Sequence, residues 1–110
     1  MHPEINGWLK DIELSIKEIH YFLEGLDSYS AFEKDLKTRK AIERNIEIIG
    51  EAMSRVRALN SDILVSDSGK IVDTRNRIIH GYDSVSADLI WLIVTRYLPI
   101  LEKEIAALLK

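Results

Sequence analysis

The chain has 110 residues, 46% of them hydrophobic and 30% charged, with no cysteine and a net charge of −3. That length fits one ordinary domain, residues 1–110, and the balance lies far from that of disordered chains. Without cysteine, disulfide frameworks, cysteine-ligated zinc and thiol catalysis are excluded. The acidic balance argues against a protein that coats nucleic acid by bulk electrostatics, which rests on clustered Lys and Arg.

The opening "MHPEINGWLKDIELS" has no basic segment followed by an apolar one, and "LIWLIV" (89–94) is too short to cross a bilayer. A soluble, cytoplasmic protein with no membrane partner is expected. From Ile5 the apolar positions run Ile5, Trp8, Leu9, Ile12, Ile16, Ile19, Phe22 and Leu23, steps of three and four that predict a first helix, closed by Gly25. "LDSYSAFEKD" is a connection with room for one short extra helix around Ser30 to Lys34. Leu36, Ile42, Ile46, Ile49, Met53 and Val56 mark the buried stripe of a second main helix that runs to about Leu59.

Between Lys37 and Arg57 six basic residues face three acidic ones, a local charge of +3 that leaves −6 for the rest of the chain. Such a helix either meets a phosphate backbone or, more commonly, is a solvated face laced with i, i+4 pairs. "NSDILVSDSGK" (60–70) carries the densest turn chemistry and reads as a loop. Ile71, Val72, Ile78 and Ile79 pattern a third helix that Gly81 is placed to end, since glycine tolerates the left-handed cap conformation. Ser86 is the expected N-cap of a fourth, with Asp88 near its positive end and a stripe of Leu89, Leu92, Ile93, Leu98, Leu101, Ile105 and Leu108. Pro99 lies inside it, removes the bond back to Thr95 and should kink it.

No segment alternates as a strand does, so the expected fold is all-α: an antiparallel bundle of four main helices with short connections. The apolar surplus at "LIWLIV", with Trp91, fits either a helix buried on two sides, and so a dimer face, or a central core helix within one protomer.

Polar chemistry concentrates at "RNRIIHGY", residues 75–82. On a helix Asp73, Asn76 and His80 share a face, while Arg75 and Tyr82, seven apart, lie on another. Arg75 and His80 are about 140° apart and ~7.5 Å along the axis, so both flank one edge and could reach a phosphate over it. These residue types suit metal-free RNA cleavage: a base for the 2′-OH proton, an acid for the leaving 5′-oxygen and a cation for the phosphorane. Histidine can fill either proton-transfer role, and arginine offers a permanently charged fork. One histidine cannot fill both, and neither His2 nor His20 is placed by the sequence to help, so a symmetric dimer with a composite cleft is the simplest completion. A structural reading of the same residues has His80 capping helix carbonyls and Arg75 paired to Asp73 or Glu51. No carboxylate pair or His/Asp cluster has metal-ligand spacing, and there is no glycine-rich phosphate loop, so neither a metal nor a cofactor is expected.

"RNRIIHGY", together with "RKAIERNIEIIGEA" at 39–52, resembles the HEPN superfamily and, within it, the HepT-like ribonuclease toxins that pair with minimal nucleotidyltransferase antitoxins. The resemblance covers nearly the whole chain. It implies a helical bundle, an active homodimer and metal-independent endoribonuclease activity, with Arg75 and His80 as the catalytic pair. Asn76 matches the supporting polar residue that follows the arginine. Tyr82 matches the tyrosine that the partner nucleotidyltransferase modifies with AMP, a bulky charged addition that would silence the cleft. The competing reading is a non-catalytic helical module that binds nucleotide or RNA, or docks a nucleotidyltransferase.

Overall fold

The computed structural model describes residues 3–63, 68–80 and 86–110. Among these it is all-α, with no strand. Helix α1 spans Pro3–Leu23, α2 Tyr29–Lys34, α3 Leu36–Leu59, α4 Ser68–Ile79, α5 Ala87–Leu92 and α6 Leu98–Leu108, and a π-helical turn, Ile93–Tyr97, joins the last two into one rod. That rod with α1, α3 and α4 makes the four main helices, and α2 is the short extra one. No helix among the described residues is long and apolar enough to cross a membrane.

Local chemistry sets most of the boundaries. Gly25 closes the α1 end with a φ of +85°, a left-handed conformation that only glycine adopts without steric cost. Ser28 caps α2 by accepting from the Ala31 N–H at 3.2 Å. Asp35 caps α3 through both oxygens, accepting from the Thr38 N–H at 3.0 Å and the Thr38 hydroxyl at 2.8 Å. Those bonds, the backbone one first, hold its carboxyl below the usual carboxylate range. Ser86 caps α5 as expected, accepting from the Leu89 N–H at 3.2 Å. The loop expected over 60–70 is shorter, because Ser68, Gly69 and Lys70 already belong to α4. Gly81 and His2 lie outside the described residues.

The core follows the sequence stripes with several differences, among them Ile79 of α4, expected in the apolar pattern of that helix but exposed. Leu9, Ile12, Ile16 and Ile19 of α1 are buried, as are Ile42, Ile46, Ile49, Met53 and Val56 of α3, but Leu36 at the α3 start is exposed. Phe32, on the short α2, is fully buried against Trp91, with ring centroids 5.1 Å apart. In the last rod the buried set is Ile90, Ile93 and Val94, then Leu98, Leu101 and Ile105, so Leu89 and Leu92 are only half-buried.

The π turn keeps Ile93 and Leu98, five residues apart, on the same buried face. The Leu98 N–H donates to the Ile93 carbonyl, one residue further back than in an α-helix, so the buried face resumes five positions on. The same turn sits directly before Pro99, which lacks the N–H that would continue the ladder. Thr95 turns its hydroxyl back to the Trp91 carbonyl at 2.7 Å. The apolar surplus of residues 89–94 is used within the protomer: Ile90, Ile93 and Val94 enter the core, and Trp91 packs on Phe32 and, at 6.1 Å, on Tyr29.

Helix α1 packs along α3, α3 along α4, and α6 returns against α1. His20 near the α1 end bonds Glu102 at 3.2 Å, while Ile16, one turn earlier, lies by Ile105 and Ala106, so α1 and α6 run antiparallel. Half of the six basic residues of the α3 stretch are paired on the helix's own surface: Lys40 to Glu43 at 3.6 Å, Arg44 to Glu47 at 3.1 Å and Arg55 to Glu51 at 3.0 Å.

Candidate active site on the α3–α4 seam

Helices α3 and α4 come together at a glycine. A Cβ on Gly50 would sit 2.4 Å from the Arg75 Cβ and 2.8 Å from its Cγ, with the Ile71 carbonyl oxygen at 3.4 Å. The nearest of these atoms, the Arg75 Cβ, is fixed by the backbone, and no rotamer change moves it aside. Glycine at this position is therefore what lets α4 lie this close to α3. Ile71 and Thr74 fill the rest of the seam and are fully buried, with the Thr74 hydroxyl satisfied by the Lys70 carbonyl at 2.9 Å.

The close approach delivers Arg75 to Glu51, the residue after Gly50. Arg75 donates from Nη2 to Glu51 Oε2 and from Nη1 to Asn76 Oδ1 at 2.6 Å. Glu51 Oε1 accepts in turn from Arg55 Nε at 3.0 Å. The Arg55 hydrogen bond, followed by the charge of Arg75, holds the Glu51 carboxyl below its ordinary range against the opposing effect of burial. The Arg75 side chain is 22% exposed, and its Nε is buried without a hydrogen-bond partner. Two carboxylate and amide anchors thus fix a guanidinium whose orientation a long, free arginine would not keep.

His80 follows the last residue of α4. Its backbone N–H donates to the Asn76 carbonyl at 3.2 Å, so the helical winding continues through it and Asn76 and His80 stand one turn apart on one face. Its side chain is exposed. Of the four residues singled out from the sequence, Arg75 and Asn76 are directly bonded, His80 is tied to Asn76 through the backbone, and Tyr82 lies outside the described residues. Of the two carboxylates considered for Arg75, Glu51 is the partner and Asp73 is exposed.

Sequence reasoning missed Gly50 as the contact that closes the seam. The available signal was a glycine in the middle of a long helix, where it weakens the helix by about 1 kcal/mol relative to alanine and so suggests a packing reason.

Arg75 also lines an open cleft of about 260 Å³ between α1 and α3, whose walls include Trp8, Asp11, Arg44, Ile48 and Arg55. Among the described residues no group of three or more His, Cys, Asp or Glu side chains is arranged to hold a metal ion.

The chain is similar to known proteins. The model of the HepT-like ribonuclease family matches residues 12–108. The chain is 32% identical over 109 residues to "Putative RNase MJ0127" of Methanocaldococcus jannaschii, covering 97% of this chain and 88% of that one. It is 31% identical over 106 residues to "Putative RNase MJ1380" of the same organism, covering 93% and 94% of the two chains. A third relative, "Putative RNase TTE0752" of Caldanaerobacter subterraneus subsp. tengcongensis, is 29% identical over 105 residues, 90% and 91% of the two. No solved structure gave a significant match. An all-α bundle closed over Gly50, a guanidinium anchored on the helix that His80 follows, and a family match that spans both lead to one conclusion: the chain belongs to the HepT-like ribonuclease family.

Proposed function

We propose that this protein is a metal-independent endoribonuclease toxin, acting as a homodimer in the cytoplasm and silenced by a minimal nucleotidyltransferase antitoxin. Its substrate is RNA, and the reaction is attack of a 2′-OH on the adjacent phosphorus with departure of the 5′-oxygen, which leaves a 2′,3′-cyclic phosphate. The observation that carries this reading is the anchoring of Arg75 by Glu51 and Asn76, which pre-sets a cation five residues before His80, the residue that follows α4. A fixed donor aimed at developing charge needs no reorganisation when the phosphorane forms.

In this mechanism Arg75 stabilises the phosphorane, Asn76 orients the arginine, and His80 moves the proton. A single histidine serves one of the two transfers, so the second copy supplies the other, and two α4 ends form the complete cleft. Tyr82, two residues beyond His80, is the site at which AMP is attached. A nucleotide attached to it adds negative charge and bulk, which would oppose an RNA phosphate.

The competing reading is a module that binds RNA or a nucleotidyltransferase without cutting. It draws on the fact that both terminal nitrogens of Arg75 already have protein partners. RNA incubated in excess EDTA with the protein, or with its His80→Ala variant, separates the two. Cyclic-phosphate ends made only by the unaltered protein are expected. Intact RNA, from protein whose mass excludes AMP on Tyr82, would favour the binding module.

A further inference from the structure

The cleft that Arg75 borders carries groups for which the cleavage chemistry has no use. Trp8 and Asp11, three residues apart on α1, share one face, and Arg44, Ile48 and Arg55 stand on α3. With Arg75, Glu47 and Glu51 the lining holds three arginines and three carboxylates, so it is neutral overall. The pairing is uneven. Arg44 meets Glu47 at 3.1 Å, and Arg55 and Arg75 both meet Glu51, whereas Asp11 makes no hydrogen bond or ion pair among the described residues.

A neutral cleft with an indole on one wall is a poor phosphate track and a good base site. Bases of single-stranded RNA stack on aromatic rings and are read along their hydrogen-bonding edges. The size agrees: about 260 Å³ lies just under the ~300 Å³ at which small-molecule pockets begin, enough for one planar group. Asp11 is an acceptor with both oxygens unspent. Arg44 and Arg55 each have one nitrogen engaged, which leaves further N–H donors of their five for ring carbonyl or ring nitrogen acceptors.

We propose that this cleft binds one base of the RNA strand beside the scissile phosphate, stacked on Trp8 with its N–H edge on Asp11, and that it prefers guanine. Guanine presents N1–H and N2–H₂ side by side, two parallel donors to a single carboxylate, and offers O6 and N7 to an arginine fork. Arg75, on the border of the same cleft, would then hold the neighbouring phosphate. The inference rests on the ribonuclease reading above for its substrate, but not for its binding test.

That test uses fluorescence anisotropy of short labelled single-stranded RNAs, alike except for one base, with the full chain carrying His80→Ala so that no cleavage intervenes. Trp8→Ala on that background is expected to weaken binding about 5- to 150-fold, the range for loss of one stacked base, and Trp8→Phe to restore most of it. Asp11→Asn is expected to abolish the preference for the guanine oligonucleotide, and cuts made by unaltered protein should fall beside guanine. Unchanged affinity and base preference in Trp8→Ala and Asp11→Asn overturn the proposal. So does a Trp8→Ala protein whose sedimentation mass falls while its RNA affinity stays, which makes the cleft a face for a second copy. If the unaltered protein never cuts but binding still depends on Trp8 and guanine, the base site stands and the nuclease reading fails.

Discussion

Helices α1 and α3 meet through large apolar side chains, Leu9, Ile12, Ile16 and Ile19 with Ile42, Ile46, Ile49 and Met53, all essentially inaccessible to solvent. Helices α3 and α4 meet at a glycine, an isoleucine, a threonine and an arginine that bonds across the seam. The first contact stabilises through area removed from water, is non-directional, and tolerates small shifts. The second gains little from area, and its exposed-side ion pairs contribute little stability. What it supplies is geometry: backbone proximity at Gly50 is converted into a fixed guanidinium at Arg75. Stability and positioning are thus assigned to different faces of the same helix α3.

The comparison breaks most visibly at the apolar seam. Ile46→Ala, at a site with no exposure, should cost about 2–5 kcal/mol in denaturant unfolding, while cleavage per folded molecule stays near its original value. A loss of cleavage at temperatures where the variant remains folded would show that the two seams are not separable. Gly50→Ala should do the reverse. Overpacking costs about 1–3 kcal/mol and is partly offset by up to about 1 kcal/mol of helix propensity, so the stability loss is smaller. Displacement of Arg75 should nevertheless remove most of the cleavage, and a Gly50→Ala protein of full activity would mean that the close approach does not position the arginine.

Acid should sharpen the comparison at the smallest scale. Asp35 and Glu51 both have folded pKa values lowered from their ordinary 3.8 and 4.5, by the Thr38 bonds in one case and by Arg55 and Arg75 in the other. A depressed carboxylate contributes stability that is fully present above its unfolded pKa and lost as pH falls through the folded one. Unfolding free energy should therefore decline only as the pH drops below about 4.5, and less steeply in Asp35→Ala. An unchanged slope in that variant would remove the α3 cap from the account.

Much of the fold was legible because its signals are local or periodic. The stripes of α1 and α3 follow the 3.6-residue repeat, and Ser86 caps where a serine before an apolar run is expected to. The differences arise where a local rule meets a tertiary one. Leu89 and Leu92, expected on the buried face, are only half-buried, because Ile90, Ile93 and Val94 are the residues of that stretch that enter the core. Phe32 lies on a helix too short to show a period, so its burial under Trp91 had no sequence signature. At the site, the cluster of Arg75, Asn76 and His80 was legible from residue types alone. The choice of Glu51 over Asp73 was not, because it depends on how close α3 and α4 lie, and only Gly50 sets that distance.

The central claim is that Arg75 acts on the RNA phosphate and does more than hold α4 to α3. The most direct measurement is the single-turnover cleavage rate of Arg75→Ala, taken on protein whose thermal unfolding is recorded in parallel. Alanine keeps the Cβ that packs on Gly50, and Glu51 keeps Arg55 as a partner, so the fold should persist. The account predicts a rate lowered by about 10²- to 10³-fold, the usual cost of removing one donor to developing negative charge, with the folded state retained. Cleavage at the original rate by a folded Arg75→Ala protein would contradict it and leave the arginine as a structural tie between two helices.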